Sequence, residues 1–126
     1  MNLRTPLAKV RGLGSAKEGT HHWWAQRLTA IALVPLSLWF IYSLVNMTTV
    51  DYMAAIGWLQ SPIICVLMVL FIFSLFYHAQ LGMQVVIEDY IGSEVLKITS
   101  IIILKFVILF AGLASIVAIL KVCLGL

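Results

Sequence analysis

The chain has 126 residues, of which 63% are hydrophobic and 10% charged, with eight Lys or Arg against five Asp or Glu. Soluble globular proteins are about 45–50% apolar and about 25% charged, and a chain this short has too much surface for its volume to hide the remainder from water. Composition therefore excludes a soluble fold, and length allows one domain at most.

Residues 1–27 carry five basic groups (Arg4, Lys9, Arg11, Lys17, Arg27) and one acid, Glu18. A secretory signal has a shorter basic region and a small-residue cleavage site after its apolar run. Here the run ends in Asn46-Met47-Thr48-Thr49, with two more apolar stretches behind it. Residues 1–20 read as a flexible, Gly-containing basic arm ahead of an anchor domain at 21–126; an organellar presequence of similar composition stays open.

Beyond the arm, no Asp, Glu, Lys or Arg occurs from Leu28 to Val50, Tyr52 to Ile87, Ile98 to Leu104 or Phe106 to Leu120. About 20 apolar residues cross about 30 Å of hydrocarbon as a helix. Three transmembrane helices are expected, near 27–46, 61–87 and 98–121. Strands are excluded because the segments lack alternation and three strands cannot close a barrel. The expected fold is all-α and integral to the membrane. The basic residues set its orientation: the arm is rich in them and loop 47–60 has none, while Lys97 and Lys105 lie near the second loop. The N-terminus is therefore expected in the cytoplasm (or a mitochondrial matrix), and the C-terminus outside.

Cys65 and Cys123 stand in apolar surroundings, far apart in sequence. That is neither a metal spacing nor a redox pair, and both are expected to be inert buried residues.

Ionisable groups inside a span are costly and usually face protein, water or a cofactor. His78 follows Pro62 by 16 residues, which places it about 24 Å along the second span at 1.5 Å per residue. Two readings are open: a histidine hydrogen-bonded to a neighbouring helix, or an axial haem ligand. Gly82 stands four residues on, on the same helix face. A side chain there would obstruct a porphyrin held by His78, so Gly82 leaves room for one; close helix packing is the plainer explanation. Ser74, Val85 and Asp89 continue this stripe. Asp89 and Tyr90 fall at the inner interface, where Tyr90 is a belt residue or, oriented by its neighbour, a hydrogen-bond donor to a quinone carbonyl.

His78, Gly82, Asp89 and Tyr90 form a His-x3-Gly-x6-Asp-Tyr string that resembles the second-helix signature of the D-type anchors of succinate dehydrogenase. The Gly82-Met83 pair matches bacterial members. The first helix agrees, because Arg27-Leu28-Thr29-Ala30 resembles the family's Arg-x-Thr-Ala entry. His21-His22-Trp23-Trp24 resembles the form in alphaproteobacterial members. The resemblance implies that His78 ligates the iron of haem b, that Tyr90 contacts ubiquinone with Asp89 beside it, and that Arg27 lies near the haem propionates. For Arg27, interfacial anchoring is an equal reading; the two Trp are most simply an interfacial belt. A C-type anchor would carry basic residues after the glycine, whereas Met83 and Gln84 follow here.

The resemblance further implies a heteromeric anchor bundle. This chain offers one intramembrane His, so a C-type anchor would supply the second haem ligand. A flavoprotein and an iron–sulfur subunit would pass electrons from succinate to ubiquinone on the inner face. No stand-alone catalysis and no nucleic-acid partner are expected, and a bacterial inner membrane is favoured over a mitochondrial one. Lys105 is expected to snorkel to headgroups. The rivals are a cofactor-free structural or assembly membrane protein, and an ion pathway for which the first and third spans lack a chain of ionisable groups.

Overall fold

The computed structural model describes residues 5–10 and 17–126, and these form five helices: α1 (Pro6–Val10), α2 (Lys17–Met47), α3 (Tyr52–Leu59), α4 (Pro62–Tyr90) and α5 (Glu94–Cys123). Three are long and apolar enough to cross a membrane: Gly19–Met47 of α2, α4 and α5. The chain is an all-α membrane protein of three spans.

The helices overrun the expected spans, mostly at the start of α2, the end of α4 and the start of α5. A charge-free run marks the stretch that tolerates hydrocarbon, whereas a helix continues into the headgroup region for as long as its backbone is paired. So α2 begins at Lys17, α4 reaches Tyr90, and α5 begins at Glu94. Within α5, Glu94 in the first turn and Lys121 in the last each match the sign of the helix dipole. Pro62 opens α4 at a position that needs no amide hydrogen.

Two stretches expected to be irregular contain helix. The basic arm includes α1 and the start of α2; its residues 1–4 and 11–16, also expected to be flexible, lie outside the described residues. Loop 47–60 contains α3, started by Asp51, whose carboxylate accepts the Ala54 amide at 2.8 Å. This is an N-cap that satisfies one of the helix's free amides.

The central helix is α4, with α2 packed on one side and α5 on another. The buried hydrophobic residues Met68, Phe71, Ile72 and Leu81 all belong to it. Phe71 stacks on Phe40 of α2 with ring centroids 4.8 Å apart, and Trp39 stacks on Trp58 of α3 at 6.0 Å. On the α5 side, a Cβ at Gly112 would sit 3.5 Å from the Phe76 ring, in ordinary contact, so the two helices lie close there and a side chain longer than a methyl would press on that ring. Small residues at such crossings are how helices approach each other in lipid, where apolar burial gives little drive.

The expectation for the cysteines is corrected. Cys65 near the start of α4 and Cys123 at the end of α5 form a disulfide, with Cα atoms 6.0 Å apart across 58 residues of sequence. Neither is an isolated core residue. Running antiparallel, α4 and α5 bring those two ends together, and no local spacing records it.

Candidate functional site

His78 lies on α4 where α2 crosses it. Its Nδ1 is 2.9 Å from the hydroxyl of Thr29. Thr29 is only 8% exposed, and its Oγ1 also lies 2.8 Å from the Ala25 carbonyl and 3.0 Å from that of Gln26. The pairing follows from antiparallel packing, which sets an early residue of α2 beside a late one of α4. Nε2 of His78 has no hydrogen-bond partner among the described residues. The imidazole is thus held at one nitrogen by protein and left free at the other.

Gly82 lies one turn further along the same face. A Cβ built on it meets no heavy atom within 4 Å. Gly112, by contrast, faces the Phe76 ring. No helix of this chain presses against Gly82, so its bareness serves something other than packing within the chain. The rest of the stripe divides: Ser74 is buried, and lines a groove with Thr29, Ala32 and Leu28 of α2, while Val85 and Asp89 are exposed. The face from Gly82 to Asp89 is therefore open.

Arg27 is not brought to His78. It is exposed, and its guanidinium lies 5.5 Å from the centre of the Trp23 ring one turn earlier. Arg27 stands two positions before Thr29, which is about 200° around a helix; Thr29 is the α2 residue that meets the imidazole. Tyr90 is 85% exposed at the last residue of α4, and Asp89 is exposed beside it. Neighbouring residues point about 100° apart, and among the described residues no hydrogen bond joins the Asp89 carboxylate to the phenol.

Adjoining the groove at Ser74, and sharing His21, Ala25 and Tyr77 with it, a second one is lined also by His22 of α2, Gln80 and Gln84 of α4, and Lys105 of α5. Nε2 of His22 is buried there with no partner among the described residues. Lys105 is exposed, in keeping with a snorkelling side chain. The described residues hold no cluster of three or more His, Cys, Asp or Glu suited to a metal ion.

Thr29 is the residue that motif reading left without a role. The signal was present, since a hydroxyl in an apolar stretch at helix depth needs a partner; which partner depended on the packing of two helices.

The sequence pattern of the family described as Succinate dehydrogenase/Fumarate reductase transmembrane subunit matches residues 1–119. Relatives agree. The chain is 42% identical over 118 residues, 94% of each chain, to the succinate dehydrogenase hydrophobic membrane anchor subunit of Rickettsia bellii. It is 31% identical over 102 residues to the succinate dehydrogenase membrane anchor subunit of Reclinomonas americana, covering 72% of this chain and 78% of the relative. With the hydrophobic membrane anchor subunit of Paracoccus denitrificans, identity is 30% over 90 residues, 71% of this chain and 70% of the relative.

Proposed function

Because the chain belongs to the succinate dehydrogenase/fumarate reductase transmembrane subunit family, we propose that it is the D-type membrane anchor of a succinate:ubiquinone oxidoreductase, co-ligating haem b through His78 and helping to form the ubiquinone site. The observation that carries this is the pairing of an imidazole fixed at Nδ1 and unpartnered at Nε2 with the open backbone of Gly82 one turn away. An imidazole serving only to join two helices needs no bare surface beside it.

The residues present fit a haem. His78 would hold the iron and Gly82 would admit the ring edge. The haem would supply a one-electron store beside the quinone. This chain's own contributions are binding and orientation. Tyr90, exposed at the inner end of α4, would donate a hydrogen bond to a quinone carbonyl as negative charge develops there, an electrostatic role. Asp89 would lie beside that site. Arg27 retains the propionate role only by turning from Trp23, since guanidinium pairs strongly with planar carboxylates.

With one candidate axial ligand in this chain, the second would come from a C-type anchor. The open surface of the three spans, where α5 buries only Gly112, leaves area for that partner and for lipid. A flavoprotein and an iron–sulfur subunit would dock on the inner face, near Tyr90. The N-terminus would lie in the cytoplasm of a bacterium, and the disulfide supports this orientation. Cys65 and Cys123 sit at the membrane face opposite the start of α2, which is then the oxidising periplasmic side where disulfides persist.

The test is a reduced-minus-oxidised spectrum of the complex purified through this chain. It should show a low-spin b-type haem that His78→Ala weakens or abolishes. Haem content and quinone reductase activity unchanged in that variant would overturn the reading.

A further inference from the structure

We infer that Thr29 is a positioning residue that fixes the proton of His78 on Nδ1 and so reserves Nε2 for a metal-bearing ligand; this rests on the haem reading above. A threonine hydroxyl has one hydrogen to donate and can accept through its lone pairs, whereas a carbonyl oxygen only accepts. Thr29 Oγ1 has three neighbours at hydrogen-bond distance: the Ala25 carbonyl at 2.8 Å, the Gln26 carbonyl at 3.0 Å and His78 Nδ1 at 2.9 Å.

If the hydroxyl hydrogen pointed at His78, both carbonyl oxygens would face the hydroxyl oxygen with no hydrogen between them. Such contacts are repulsive at 2.8 and 3.0 Å, and Thr29 is largely buried. The hydroxyl hydrogen therefore goes to the backbone of its own helix, as threonine in a helix commonly does. Its oxygen is left as an acceptor facing Nδ1. The imidazole must donate there, and a neutral imidazole with its proton on Nδ1 has its lone pair on Nε2.

Two consequences follow. The tautomer and ring orientation are set before any ligand arrives, because the acceptor belongs to a rigid helix turn. In addition, an Nδ1–H that donates to an oxygen makes the opposite nitrogen a stronger donor to metal, an effect of the groups behind a ligand that is generally worth 10- to 100-fold in affinity. Back-bonding to Ala25 and Gln26 would occur with any threonine at this position. It gives no reason for a histidine of α4 to meet the same oxygen.

The experiment uses the whole purified complex carrying Thr29→Val, which keeps the shape and removes the acceptor, and Thr29→Ser, which restores it. A weaker ligand stabilises the oxidised iron less. Thr29→Val should thus raise the haem midpoint potential, alter the low-spin electron paramagnetic resonance signal, and lower haem retention about tenfold, while Thr29→Ser keeps wild-type values. Thr29→Ala serves the same comparison should the valine variant fail to assemble. A potential and a resonance signal unchanged in both Thr29→Val and Thr29→Ala would overturn the assignment of Thr29, while leaving His78 as ligand. Haem retained in full by His78→Ala would overturn the haem reading and this inference with it.

Discussion

Replacing Gly82 by leucine separates the two uses a bare helix position can have. A Cβ at Gly82 meets nothing within 4 Å, so leucine overlaps no part of this chain. It also removes glycine's intrinsic helix penalty of about 1 kcal/mol. Judged within the chain, the substitution is neutral or mildly stabilising. A flat ring held at His78, however, meets that side chain on the same face one turn away. Overpacking of this kind costs about 1–3 kcal/mol, and at about 1.4 kcal/mol per tenfold haem retention should fall roughly five- to 150-fold. The assay is the haem-to-protein ratio of the purified complex, read with its thermal stability. Gly112→Leu is the control, since its side chain would press on the Phe76 ring 3.5 Å away; it should weaken α4–α5 packing without a selective loss of haem. A Gly82→Leu complex with full haem and an unshifted spectrum would refute the reasoning.

Tyr90→Phe should depress quinone reduction while leaving succinate oxidation by an artificial soluble acceptor intact; equal loss of both would indicate an assembly defect. For the disulfide, which closes a loop of 58 residues, a chain-entropy account gives an upper value of about 4 kcal/mol, reduced because lipid keeps helices formed in the reference state. The double variant Cys65→Ser, Cys123→Ser should therefore lower the thermal midpoint. Both wild-type cysteines should resist maleimide labelling in denaturant until a reductant is added, and labelling without reductant would exclude the bond. A reporter active only outside the cytoplasm should be active when fused after Leu126, and silence there with activity at the N-terminus would invert the orientation.

The membrane character and the number of spans were legible because they depend on where charge is missing, a property of the sequence read residue by residue. Helix ends were less so. The charge-free run stops at Ile87, yet α4 continues to Tyr90, since Glu88 and Asp89 end the hydrocarbon-compatible stretch and not the backbone pairing. The short α3 was hidden in a loop, although Asp51 three residues before Ala54 was its N-cap signal. Of the site, His78 and Gly82 were legible as a pair because both lie on one helix, where spacing fixes the shared face. Thr29 and the Cys65–Cys123 bond were not, because each joins two helices and depends on how the spans sit against one another. For Cys65 and Cys123 the missing step was topological: the start of the second span and the end of the third lie at the same face of the membrane.

The most direct measurement is an experimental map of the complex isolated from its membrane. It should show a macrocycle whose iron meets Nε2 of His78 from one side and a histidine of another polypeptide from the other, with Thr29 still at Nδ1. A lipid tail or a partner's apolar side chain lying across Gly82, with the imidazole bonded only within the protein, would contradict it.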